Sequence, residues 1–171
     1  GWMRLEIDDF LELGRRRPIF DVRAPAEYAR GHIPGASNLS LFTDDERALV
    51  GTTYKQEGSR EAILRGLDIV GPKMRGVVER VIRVAGEPVP GEPVLVHCWR
   101  GGMRSESVAW LLGFYGYEVV TLEGGYKAFR RWALRSFELE RPILIVGGYT
   151  GSGKTLALSE LERMGEQIID L

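Results

Sequence analysis

The chain has 171 residues, 44% hydrophobic and 27% charged, and its 23 lysines and arginines nearly balance 24 aspartates and glutamates to leave a formal charge of -1. That composition excludes a disordered or fibrous chain and allows one full domain with a piece of another. A lone cysteine and two histidines exclude an internal disulfide and a cysteine-rich zinc site, so no metal centre is predicted, and no apolar run approaches the ~20 residues of a membrane span.

A cytoplasmic location without membrane attachment is the expectation, because no apolar stretch of the kind a secretion signal needs follows Gly1-Trp2-Met3-Arg4. Gly1 and Trp2 read as an addition ahead of a native Met3. The near-neutral total hides local asymmetry. From Arg100 to Arg135 the basic residues (Arg100, Arg104, Lys127, Arg130, Arg131, Arg135) outnumber the acidic ones (Glu106, Glu118, Glu123), which fits either a basic face or an ordinary solvated helix surface.

In chain order, Ile7, Phe10, Leu11 and Leu13 suit a short helix with Asp8 and Asp9 near its positive end, closed by Arg15 to Arg17. Pro18 to Val22 reads as a short buried strand, Ala24 to Tyr28 as a proline-initiated helical turn, and Ser37 to Leu39 as another short strand. A long connection, 42–91, holds three helical pieces: Asp44 to Val50, Ser59 to Ile69 and Gly76 to Ala85. The third places Val77, Val78, Val81, Ile82 and Ala85 on one face, and the Gly- and Pro-rich run 86–93 ends it. Val94-Leu95-Val96 is a strand, and Val108, Ala109, Leu111, Leu112 and Tyr115 repeat at helical spacing after it. Val119 to Leu122 is the next strand, and a helix runs from Tyr126 to about Phe137. Strands alternating with helices predict an α/β domain with a mainly parallel sheet flanked by helices, its ligand site at the carboxyl ends of the strands.

Cys98 stands at such an end, in the loop His97-Cys98-Trp99-Arg100-Gly101-Gly102-Met103-Arg104-Ser105. Between a strand and a helix, converging loop amides and the helix dipole, joined by Arg100 and Arg104, make an anion cradle around a thiol and favour the nucleophilic thiolate. Trp99, Arg100, Gly101, Gly102, Met103 and Arg104 are the candidate anion-binding residues, and Cys98 is the candidate nucleophile. The loop alone is ambiguous. It satisfies both H-C-x5-R-[ST], used by cysteine phosphatases, and Cys-x-x-Gly-x-x-Arg, used by sulfurtransferases.

A second motif follows a change of composition. Pro142 to Val146 reads as an apolar strand, and Gly148-Tyr149-Thr150-Gly151-Ser152-Gly153-Lys154-Thr155 fits G-x-x-x-x-G-K-[ST]. Gly148, Gly151 and Gly153 would let amides close on a phosphate, Lys154 would reach the terminal phosphate, and the Thr155 hydroxyl could hold magnesium. Leu156, Leu158 and Leu161 mark a helix, and Gln167 to Leu171 the next strand. One β-α-β unit cannot cover its own sheet edges, so the chain reads as a fragment that ends early in a phosphate-loop domain. The expected division is 1–139 for the first domain and 140–171 for the incomplete second. No Walker B acid is assignable, and nucleotide hydrolysis is not predicted.

The surroundings of Cys98 favour the sulfurtransferase alternative. Asp21-Val22-Arg23 with Glu27-Tyr28, then Gly31-His32-Ile33-Pro34-Gly35-Ala36, resembles the amino-terminal signature of rhodanese domains. Leu122-Glu123-Gly124-Gly125-Tyr126, ahead of Phe129 and Trp132, resembles their carboxyl-terminal one. No Trp-Pro-Asp-like stretch supplies the general acid that a phosphatase wants. Asp21, Arg23 and His32 are expected to fix loops rather than do chemistry.

A rhodanese domain joined to the start of a phosphate-loop, NTPase-like domain resembles the tRNA 2-selenouridine synthase family. Gly51-Thr52-Thr53-Tyr54-Lys55-Gln56 and Gly66-Leu67-Asp68 add to the likeness. The resemblance implies exchange of sulfur for selenium at the 2-position of a wobble 2-thiouridine in tRNA. Selenophosphate and geranyl diphosphate would be co-substrates, an S-geranylated base the intermediate, and Cys98 the residue of the selenation step. It also implies that Lys154 and Thr155 bind a diphosphate, of the geranyl donor or of a nucleotide, and that a selenophosphate-producing enzyme is a partner. Two alternatives stay open: a stand-alone sulfurtransferase or cysteine phosphatase, and a non-catalytic tRNA-binding or scaffolding fragment.

Overall fold

The computed structural model describes residues 1–138, 151 and 153–164. The chain divides into two compact units, Gly1–Phe137 and Glu138–Leu171.

The first unit is built on five parallel strands: β1 Met3–Leu5, β2 Ile19–Asp21, β3 Ser37–Asn38, β4 Val94–His97 and β5 Val119–Leu122, in the spatial order β1-β5-β4-β2-β3. Its helices are α1 Ile7–Gly14, α2 Pro25–Ala29, α3 Asp44–Glu57, α4 Ser59–Val70, α5 Met74–Ala85, α6 Met103–Tyr115 and α7 Gly125–Glu138. β2, β4 and β5 are buried at every position, as parallel strands covered on both faces must be.

Side-chain alternation along β4 sorts the two cores. Val94 and Val96 join Phe20, Val119 and the inner sides of α5 and α6 on one face. Leu95 joins Ile19, Val120, Leu122 and Phe10 of α1 on the other. Fully burying such a side chain contributes about 1.5–3 kcal/mol before the entropy of ordering is deducted. Cys98 continues the alternation of Val94 and Val96, so its sulfur falls on the α6 side at the end of the central strand.

Two elements differ from the sequence reading. β1 has no counterpart there; Met3-Arg4-Leu5 is too short for a pattern, and it is a strand because it pairs with the open edge of β5, Met3 opposite Val120 and Leu5 opposite Leu122. α3 runs to Glu57 instead of stopping near Val50. A capping box starts it, the Glu46 amide donating to Thr43 Oγ1 at 3.2 Å and the Thr43 amide to Glu46 Oε1 at 3.4 Å, and nothing breaks it before Gly58. That glycine alone joins α3 to α4, which packs against it.

In the second unit the described residues form α8, Lys154–Arg163, with Gly153 as its left-handed N-cap. The strands predicted at 142–146 and 167–171, and Gly148, lie outside the described residues.

Candidate active site

The loop after β4 is held from below by the start of α7. The amides of Tyr126 and Lys127 donate to the carbonyls of Cys98 and Trp99 at 2.8 and 3.0 Å. Gly125, at φ +60°, lies so close beneath the loop that a Cβ there would stand 2.6 Å from the Cys98 carbonyl oxygen and 2.7 and 2.8 Å from the amide nitrogens of Gly101 and Arg100. The Cys98 and Trp99 carbonyls are thus taken by α7, and the Gly102 carbonyl by the Ser105 hydroxyl and the Glu106 amide. None of the amides from Trp99 to Ser105 donates to a backbone carbonyl among the described residues. These residues and the amino end of α6 are where the sequence predicts an anion site.

The sulfur is buried, with Cys98 3% exposed. Ser105 Oγ lies 3.2 Å from Cys98 Sγ and 3.1 Å from the Gly102 carbonyl, to which it donates, so one hydroxyl ties the sulfur to the loop backbone. Gly102 and Met103 are exposed at the rim, Arg100 points to solvent, and Trp99 is half-buried, its ring 5.8 Å from that of Tyr126.

Arg104 has a partner that spacing did not reveal. Its Nη1 donates to Glu27 Oε2 at 2.8 Å, and Arg47 Nε of α3 reaches the same oxygen at 3.1 Å. The Ala24 amide also donates to Glu27 Oε2 at 2.9 Å, capping α2. Burial by itself would raise the Glu27 pKa, but the Arg104 hydrogen bond and charge, the Ala24 amide and the Arg47 charge outweigh it and hold the carboxyl below its ordinary value. Arg104 thus stands beside the loop, anchored to α2 and, through Glu27, to α3.

Asp21, Arg23 and His32 brace the site from outside it. Arg23 donates from Nε and Nη2 to Asp21, and from Nη2 to the Gly31 carbonyl at 2.8 Å, while its guanidinium lies 3.8 Å from the Tyr126 ring centroid. This buried pair ties the end of β2 to the 31–36 turn and to α7. His32 Nδ1 is 2.9 Å from the Tyr28 carbonyl, and its ring stacks on Tyr28. His97 is fully buried, on the opposite face from the sulfur. A carbonyl only accepts, so the proton sits on Nδ1, 3.2 Å from the Cys98 carbonyl oxygen, leaving Nε2 without a hydrogen-bond partner and 3.7 Å from Asp21 Oδ2. Burial is the main cause that pushes the His97 pKa down, and Arg23 adds to it; the Asp21 charge and the Cys98 carbonyl oppose it without prevailing.

Residues 6–132 match the family of rhodanese-like domains. The chain belongs to that family. Similar proteins include the tRNA 2-selenouridine synthase of Sulfurovum sp. (strain NBC37-1), 41% identical over 150 residues, covering 85% of this chain and 40% of that protein. The enzyme of the same name from Serratia proteamaculans (strain 568) is 40% identical over 146 residues, covering 84% and 39%. The chain spans about two-fifths of the length of these curated relatives. Among solved structures, the N-terminal domain of a Clostridium difficile 630 protein named as ATP/GTP binding is 40% identical, with a TM-score of 0.68, covering 76% of this chain and 98% of that one. The rhodanese-like domain thus accounts for the parallel sheet and for the place of Cys98 at the end of its central strand.

Of the predicted phosphate-loop residues, Gly151 and Gly153 adopt φ of +85° and +87°, and Lys154 and Thr155 open α8. Sequence reasoning did not single out Glu27, Arg47 or Ser105 as parts of one site. Glu27 stood only within a motif, and Arg47, 57 positions before Arg104, had no signal linking it to the loop.

Proposed function

We propose that this rhodanese-like chain supplies the cysteine of a tRNA 2-selenouridine synthase. The observation that carries the proposal is the loop of Cys98, with amides free for an anion, in a chain about 40% identical to proteins of that name. tRNA bearing a wobble 2-thiouridine is the substrate, first S-geranylated from geranyl diphosphate, and selenophosphate is the selenium donor, made by a separate enzyme. At the base, the C2–S bond breaks with its electron pair on the departing geranyl thiolate, and a C2–Se bond forms from HSe⁻, whose proton passes to N3. No oxidation state changes.

A redox-neutral role for Cys98 is attack of its thiolate on the phosphorus of selenophosphate. The S–P bond forms while the P–Se bond breaks with its pair on selenium, which leaves as HSe⁻; water then cleaves S–P to phosphate and restores the thiol. This use of the loop reconciles its H-C-x5-R-S pattern, suited to a phosphoryl group, with its rhodanese setting. Lys154 and Thr155 would hold the diphosphate of the geranyl donor, and unchanged binding of geranyl diphosphate by Lys154→Ala would dismiss that assignment.

Mass spectrometry of bulk tRNA from cells carrying wild-type or Cys98→Ser full-length enzyme tests the whole reading. Accumulation of S-geranyl-2-thiouridine with loss of 2-selenouridine is the expected result, and unchanged 2-selenouridine refutes it. The same loop pattern also favours a second reading, a cysteine phosphatase or sulfurtransferase acting alone, for which Cys98-dependent turnover of an aryl phosphate or of thiosulfate would speak.

A further inference from the structure

Between α3, α4 and the first turn of α6 lies a cavity of about 680 Å³, in the range of small-molecule sites. Its walls are mostly aliphatic, Val50 of α3, Ile63 and Leu67 of α4, and Met103 at the start of α6, over Phe42 at the base, with Tyr54 the one exposed ring and Thr52, Ser59 and Ser107 the hydroxyls. Three of the aliphatic side chains are conspicuously uncovered, Ile63 being 38%, Leu67 61% and Met103 59% exposed. Apolar side chains on neighbouring helices that face one another across an open cleft are uncommon without an occupant.

The rim differs from the walls. Arg47, Lys55 and Arg104 border the cavity, and no aspartate, glutamate, asparagine or glutamine lines it. Glu27 is shared between Arg47 and Arg104, so three cations face one carboxylate. An occupant must therefore be apolar over most of its length and anionic at one end. A nucleobase fits less well. Bases are read by stacking on rings and by hydrogen bonds along their edges; here Tyr54 is the one exposed ring, set among aliphatic groups, and no side-chain amide or carboxylate lines the wall. The charged end has a defined place, because Arg104 precedes Ser105, whose hydroxyl is 3.2 Å from the Cys98 sulfur.

We infer that this cleft is a binding site for an aliphatic chain of the substrate, with the anionic end held by Arg47, Lys55 and Arg104 beside the cysteine loop. It deepens the proposed function, on which it rests only for naming the chain as the geranyl group of the S-geranylated nucleotide. The α3–α4 pair then seats the leaving group's chain while the base is presented to the loop.

Equilibrium binding to the full-length protein, read by calorimetry, tests the site with three probes: S-geranyl-2-thiouridine 5′-monophosphate, 2-thiouridine 5′-monophosphate and decyl phosphate. All are measured with Lys154→Ala present, so that the phosphate loop does not contribute. The geranylated nucleotide should bind roughly tenfold or more tightly than its parent, and Leu67→Asn and Ile63→Asn, both neutral changes at uncovered positions, should each erase that advantage without weakening the parent nucleotide. Equal binding of the two nucleotides, together with no Leu67-dependent binding of decyl phosphate, overturns the inference. So does a parent nucleotide that weakens as much as the geranylated one in both variants, the mark of a base pocket. Leu67-dependent binding of decyl phosphate without preference for the geranylated nucleotide upholds the apolar site while removing the geranylated intermediate from the proposed function.

Discussion

Replacing Gly125 by alanine tests whether the cysteine loop owes its shape to the close approach of α7. Two costs add at this position. At φ +60° an L-residue loses about 1–2 kcal/mol to its own Cβ. The added carbon would also stand 2.6 to 2.8 Å from three backbone atoms of residues 98, 100 and 101, none of which can swing away as a side-chain tip could. Relief requires shifting the loop by several tenths of an ångström, an overpacking cost of about 1–3 kcal/mol. The total of about 2–5 kcal/mol corresponds to a Tm lowered by roughly 5–20 °C for a chain of this size. Gly35→Ala is the matched control, because Gly35 has φ +81° with nothing within 4 Å of its would-be Cβ, so it should lose only the first part, about 1–2 kcal/mol. Thermal unfolding of the two variants, alongside the rate of Cys98 alkylation by iodoacetamide, separates the terms. If Gly125→Ala is no less stable than Gly35→Ala and alkylates at the wild-type rate, α7 does not shape the loop.

The remaining expectations concern charge. His97 is held below its ordinary pKa by burial, so below the unfolded value of about 6.5 the unfolded chain takes up a proton that the folded chain refuses. Stability is therefore complete above that pH and falls as pH drops towards the folded-state value; urea titrations at pH 7.5 and 5.5 should show the loss, His97→Asn should lessen it, and a flat wild-type profile would contradict the assignment. Glu27 has the same sign in a lower window: its stabilisation is present above the unfolded carboxylate value of about 4.5 and disappears as pH falls through the depressed folded one. Glu27→Gln should cost about 1–3 kcal/mol, because Arg104 is largely covered, while Arg47→Ala should cost under about 1 kcal/mol, since that side chain is half exposed. Equal losses in chemical denaturation would mean that Glu27 serves the two arginines alike. Ser105→Ala should lower stability by about 1–2 kcal/mol through the lost bond to Gly102, and a denaturation midpoint equal to wild type would remove that hydroxyl from the loop's support.

Sequence alone determined what local pattern can determine. Val94-Leu95-Val96, the glycines after Cys98 and the spacing of Val108 to Leu112 define strand, loop and helix because each depends on neighbours within a few positions. The same locality marked the end of the central strand as the candidate site and gave Asp21 and Arg23 the loop-fixing role that their buried pair, bonded to the Gly31 carbonyl, fits. Edge strand β1 escaped because three residues have no period; only the unfilled edge of β5 makes them a strand. α3 appeared too short because its one buried side chain after Val50 is the polar Thr53, so its apolar pattern fades there. Tertiary structure alone decided where Arg104 goes. A sequence shows an arginine six positions after the cysteine; folding brings Glu27 and Arg47 to it from elements 77 and 57 positions away, and no local pattern links residues that far apart.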